Sequence, residues 1–133
     1  MQTLNLPKTF LIIGTILAGL AVALGAFGAH GLKKLVDGDT VAVYQTGVQY
    51  QMYHALALIM IGILADRISA NFSSYAGFLF IGGIVLFSGS LYLISSMKAM
   101  SRPVPMAVNF ITPIGGFLFI VGWIMLLIAV ARK

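Results

Sequence analysis

The chain has no cysteine, and its three acids, Asp37, Asp39 and Asp66, all stand outside its long apolar runs. Without cysteine there is no disulfide, no thiolate metal ligand and no cysteine nucleophile, and the redox compartment is left open. Without an intramembrane acid, the carboxylate that a coupled transporter usually keeps near the bilayer midplane is missing. Charge of either sign is scarce: 8% of residues are charged and 60% are hydrophobic, with a mean hydropathy of +1.04. Soluble domains do not have that balance. The net charge of +5 comes from eight Lys and Arg scattered in ones and twos near the ends of apolar runs. That is the dress of a membrane protein, and no nucleic-acid partner is expected.

Four runs carry no charge at all: Phe10–Ala29, Thr46–Ala65, Tyr75–Ile94 and Ile111–Val130. A hydrocarbon core of roughly 30 Å takes about 20 helical residues at roughly 1.5 Å each, the length of each run. The sequence therefore predicts an all-α fold, an integral membrane four-helix bundle. It forms one transmembrane domain with helices over about 8–30, 41–65, 75–96 and 107–131. Lys8 followed by an apolar run and Ala21-Val22-Ala23 imitates a secretory leader. The run exceeds the roughly 7 to 15 residues of a leader's core, so it is taken as a span.

Small residues mark the expected contacts. In the first helix Gly14, Ala18, Ala21, Gly25 and Gly28 recur at alternating steps of four and three and share a face. Helices in lipid gain nothing by hiding apolar groups from water, so close approach along such stripes drives their packing. Gly82 and Gly89 in the third helix and Gly115 and Gly122 in the fourth are spaced by seven and extend the pattern. The first helix is expected at the centre of the bundle. Asp39 or Thr40 is expected to cap the second helix, Ser69 to Ser74 to form a polar link, and Pro113 to kink the fourth helix and free a carbonyl near residue 109.

With four spans, the first and third loops lie on one side. His30, Gln45, Gln49, Ser95, Ser96, Asn109 and Thr112 all fall toward that side, and the opposite half offers only Thr15 and the Trp123 indole. A bundle dry at one end and polar-mouthed at the other follows. His54 lies roughly 16 Å from Ala65, near the midplane, where an ionisable group is a functional candidate. The alternative is a neutral imidazole bonded to Tyr50, Ser88, Ser90 or a backbone carbonyl. The candidate polar ligand site is thus His54, Gln49, Tyr50, His30, Gln45, Asn109 and Thr112.

Reactive sets are not recognisable. His30 and His54 differ by about 12 Å in depth, which argues against their sharing one haem. A zinc or copper site would want more ligands than these histidines and the helix-end acids supply. No glycine-framed serine nucleophile has a histidine and acid in support, and no phosphate-cradling loop precedes a lysine. No enzymatic activity, cofactor or metal is expected.

Four segments nonetheless look familiar: Gly25-Ala26-Phe27-Gly28-Ala29-His30-Gly31-Leu32, the stretch from Tyr44 to Leu56, the stretch from Gly83 to Tyr92, and Ile111-Thr112-Pro113-Ile114-Gly115-Gly116. Together and in this order they resemble the small bacterial membrane proteins of domain-of-unknown-function class 423, related to the eukaryotic transmembrane protein 256 group. The resemblance covers nearly the whole chain. It implies a four-helix inner-membrane protein of unassigned activity, with motif residues at Gly25, Gly28, His30, Gln49, Tyr50, His54, Ser88, Gly89, Pro113 and Gly115. No residue role comes with it.

The expected function is a non-enzymatic structural, assembly or membrane-homeostasis component, with membrane lipids, a partner complex or further copies of itself as neighbours. The alternatives are a site for a quinone, haem or lipid headgroup near His54, and a minor transporter. Cations stand four against four across the membrane: Lys8, Arg67, Arg132 and Lys133 on one side, Lys33, Lys34, Lys98 and Arg102 on the other. The expected location is the bacterial inner membrane with cytoplasmic termini, which that count does not itself impose.

Overall fold

The computed structural model describes residues 4–132, as four helices joined by short turns. Helix α1 is Leu6–His30, α2 is Gly38–Ile63 and α4 is Met106–Ala131. Helix α3 runs without interruption over Ala70–Ala99 and contains one π-helical turn at Ile84–Ser88. The fold is an all-α integral membrane bundle. Helices α1, α3 and α4 are long and apolar enough to cross a bilayer. Helix α2 has the length, at 26 residues, but its Gln, Tyr and His side chains make it the least apolar. The run Thr46–Ala65 is therefore not the equal of the other three.

Local chemistry sets the helix ends. Asn5 caps α1 by accepting from the Lys8 amide at 3.2 Å, and Pro7 sits in the first turn, where its missing N–H costs nothing. Asp37, not Asp39 or Thr40, caps α2, accepting from the Thr40 amide at 2.8 Å. Thr40, through its side chain and its amide, holds the Asp37 carboxyl below its ordinary range. Helix α3 begins five residues before the expected Tyr75. Ser73 and Ser74 return their hydroxyls to the Ala70 carbonyl within the first turn, so the supposed polar link is helical from Ala70 onward, with Ser69 as the extended residue before it. Pro113 lies inside α4, which continues through it.

The helices alternate in direction. Loops one and three meet at one end, where Leu35, Asp37, Lys98 and Arg102 line one shallow depression. At the other end the Ser69 amide donates to the Ala129 carbonyl at 2.9 Å. An apolar cluster including Phe10, Leu58, Ile61, Ala76, Phe80, Phe119 and Ala129 fills the half toward the termini.

The centre of the bundle is α2, which packs against α1 on one side and α3 on the other. Helix α1 is peripheral, contrary to expectation. Its buried residues, Phe10, Gly14, Ala21 and Gly28, form a single stripe, with Ala18 and Gly25 half-buried beside them. A small-residue stripe reports close approach to one neighbour, and does not say which helix is central. A Cβ on Gly14 would lie 2.8 Å from the Ala55 carbonyl oxygen, and one on Gly28 would strike the Tyr44 ring and the Gln45 amide.

The α3–α4 pair is as close. A Cβ on Gly115 would lie 2.8 Å from Phe87 Cα, one on Gly122 would meet Phe80 at 2.7 Å, and one on Gly82 would touch Leu118 at 3.3 Å. Gly89 differs: its nearest neighbour is Ile84 O of its own helix at 4.0 Å. It belongs to the π turn and not to a helix contact.

This geometry separates two glycines of the same spacing class. Gly115→Ala should destabilise the bundle by about 1 to 3 kcal/mol through overpacking against backbone. Gly89→Ala should be neutral or slightly stabilising, since alanine is the better helix former. Thermal unfolding in mild detergent, followed by circular dichroism, checks this; equal melting of the two variants would refute the close α3–α4 approach.

Candidate ligand-binding groove

Several polar side chains of α2 bond to neighbouring helices. Toward α1, the Tyr44 hydroxyl donates to Leu24 O at 2.7 Å, and the Gln51 amide to Leu17 O at 2.8 Å. Gln45 reaches Gly25 O at 3.4 Å. From α3, the Ser88 hydroxyl donates to Gly47 O at 2.6 Å and the Tyr92 hydroxyl to the Gln51 Oε1 at 2.7 Å. In hydrocarbon an unpaired polar group costs several kcal/mol, so these bonds fix which face of α2 meets which neighbour. No buried side-chain nitrogen or oxygen among the described residues is left without a partner.

His54 is part of this system. Its side chain is 4% exposed; Nδ1 lies 2.7 Å from Tyr50 O, and Nε2 lies 3.0 Å from the Trp123 indole nitrogen. An indole N–H only donates, so Nε2 must accept and Nδ1 must carry the proton given to Tyr50. The bonding is that of the neutral Nδ1–H tautomer, with both ring nitrogens committed. Phe119 stacks on the imidazole at 3.6 Å between ring centroids and 11° between planes, and Phe80 closes another side at 5.3 Å.

Next to this pair a groove of about 650 Å³ opens on the outer surface between α2, the π turn of α3 and α4. Tyr50, Tyr53 and His54 line it from α2, Phe87 from α3, and Pro113, Phe117, Phe119, Ile120 and Trp123 from α4, with Gly116 leaving the floor open. Helices α2 and α4 run in the same direction, which puts residues 54 and 123 at one depth.

Of the seven candidate residues, the groove contains two, His54 and Tyr50. The others are not gathered into a mouth. His30 is exposed, with Nδ1 3.0 Å from the Ala26 carbonyl. Gln45 faces α1. Thr112 shares a 2.6 Å hydroxyl contact with Ser90 between α4 and α3. Gln49 and Asn109 are exposed away from the groove. All lie toward the first-loop end, but depth along a helix does not give direction around it. Trp123, assigned on sequence to the dry half, is instead the partner of His54. Together with Phe87 and Phe119 it was missed, because aromatic residues in a membrane helix are ordinary. The signal that could have found it is the register between two parallel helices, residue 54 facing residue 123.

The His54–Trp123 bond predicts a measurable coupling. A double-mutant cycle with His54→Phe and Trp123→Phe, read by unfolding in detergent, should give about 1 kcal/mol, within the range of interhelical bonds in membranes. Additive effects of the two substitutions would count against the bond.

The comparisons with known proteins agree on one family. The model of a protein family of unknown function, DUF423, matches residues 24–116. The chain is 48% identical to the UPF0382 membrane protein YwdK of Bacillus subtilis, over 94% of this chain and 98% of that one. It is 45% identical to the UPF0382 membrane protein SAB0533 of Staphylococcus aureus, over 92% and 94% of the two chains. It is also 45% identical to SSP2132 of Staphylococcus saprophyticus, over 91% and 95%. No solved structure matches.

Proposed function

This chain belongs to the DUF423 family of membrane proteins of unknown function, and we propose that it is a non-enzymatic component of the bacterial inner membrane that holds a lipid-soluble amphipathic molecule in the α2–α4 groove. The groove itself carries the proposal: a cavity of about 650 Å³, lined largely by aromatic rings and open to the side of the bundle. Ligand sites of this size, mostly apolar with a few polar groups, are the usual form of small-molecule pockets. The non-enzymatic part rests on His54, the one group near the groove suited to acid–base work, whose two nitrogens are both engaged within the bundle.

A ligand held this way should survive gentle purification. Native mass spectrometry of protein taken directly from membranes should show about one small lipophilic molecule per chain. Gly116→Leu, which places a side chain in the groove, should lose it while melting normally. Equal retention by both proteins would overturn the proposal.

A second reading, accompaniment of another membrane complex or of a second copy, is favoured by the outer face of α1. That helix packs chiefly on α2, with Phe10 near its start reaching Gly77 and Phe78 of α3, and Gly19 has open space beside it, as close approach of another helix requires. For orientation, both termini are proposed to be cytoplasmic. The chain lacks cysteine, so single introduced cysteines report sidedness cleanly. Lys34→Cys should react with an impermeant maleimide added to intact cells, and Lys8→Cys should not. The reverse pattern would invert the topology.

A further inference from the structure

The proposed groove contains two polar groups that the bundle does not use. The chain has five tyrosines. Tyr44 and Tyr92 donate their hydroxyls to Leu24 O and Gln51 Oε1. Tyr50 and Tyr53, which line the groove and are 38% and 55% exposed, have no hydrogen-bond partner for their hydroxyls among the described residues. Tyr53 lies roughly 22 Å from the start of α2 and roughly 15 Å from its end at 1.5 Å per residue. At that depth water does not satisfy a phenol, and the deficit costs free energy unless something else accepts. An acyl chain would fill the groove and leave both O–H groups unpaired.

The walls add a second requirement. The Tyr50 ring lies 4.6 Å from Phe87 and 5.9 Å from Tyr53, and Phe87 lies 5.6 Å from Phe119, so the groove presents mainly ring faces and edges, with Ile120 as its one branched aliphatic side chain. Such walls favour offset or edge contact with a flat conjugated ring. His54 is a wall here and not a donor, because its nitrogens are engaged.

We propose that the groove binds a membrane quinone, a planar ring whose carbonyl oxygens accept from the Tyr50 and Tyr53 hydroxyls and whose apolar tail lies in the surrounding lipid. The assignment rests on the groove being a ligand site and adds the class of ligand. It concerns binding alone, with no electron or proton transferred to the protein.

Trp123 is the only tryptophan in the chain and lines the groove, so its fluorescence reports occupancy directly. Purified protein in mild detergent is titrated with decylubiquinone, whose ring quenches indole emission, and competed with decylbenzene, which has the same tail and a flat ring but no carbonyl. Quenching should be saturable, Tyr50→Phe and Tyr53→Phe should each weaken quinone binding about fivefold, the worth of one hydrogen bond, and decylbenzene should compete poorly. Both variants should melt like the parent, since neither hydroxyl supports the fold. Full affinity in the Tyr50→Phe, Tyr53→Phe double variant, or decylbenzene competing as well as the quinone, would overturn the quinone assignment and leave a groove for any lipophile. Non-saturable quenching, unchanged in Gly116→Leu and with no competition by decylbenzene, would overturn the ligand site as well.

Discussion

A polar helix placed in hydrocarbon must find its hydrogen-bond partners inside the protein, and α2 is that helix. Its side chains reach carbonyls of α1 that are already engaged in helical bonds. Tyr44 uses the second lone pair of Leu24 O and Gln51 that of Leu17 O. Such bonds form only if the two backbones lie within the reach of a side chain. Gly14, Ala21 and Gly28 make this possible, because at these positions α1 presents nothing larger than a methyl group to α2. The bare stripe on α1 and the polar face of α2 are therefore one device. Enlarging the first would remove the acceptors of the second.

The same dependence continues into the other half. Ser88 and Tyr92 tie α3 to Gly47 and Gln51, and Ser88 closes the π turn within α3. Such turns add a residue to one helical coil and recur at functional sites. Here the turn seats the Phe87 backbone against Gly115 while its ring enters the groove. The next residue of α4, Gly116, leaves the groove floor open. Adjacent glycines thus do opposite jobs, one admitting a neighbouring backbone and the other leaving space.

Much of the fold was legible in the sequence because bilayer thickness imposes a length and lipid imposes an absence of charge. Both properties survive without knowledge of any neighbour. The start of α3 was not legible, since Asn71, Ser73 and Ser74 make a polar first turn that hydropathy reads as loop. The π turn leaves no pattern of residue type. The centrality of α2 was present in its composition, but the glycines of α1 drew attention to the wrong helix. The site divides the same way. Depth is a count along one chain, which brought His54 and Tyr50 forward together. Azimuth depends on how helices rotate against each other, so Gln49, Asn109 and His30 were grouped at the right level and face different directions. Trp123 needed the relation between α2 and α4.

The position of His54 invites a proton or metal role, and its surroundings argue for another. A ring with one nitrogen giving to Tyr50 O and the other receiving from Trp123 has no lone pair to offer and no free N–H to place on a ligand. Phe119 covers one face at 3.6 Å, and the bonds to α2 and α4 hold it from both sides. The imidazole is a strut joining two parallel helices at mid-depth, and in that place it keeps the groove wall rigid. Chemical freedom at this depth passes to its neighbours on the same helix, Tyr50 and Tyr53, whose rings are held by aromatic contacts while their hydroxyls are uncommitted. One wall of the groove thus sets a fully bonded histidine beside two phenols that the bundle leaves unbonded.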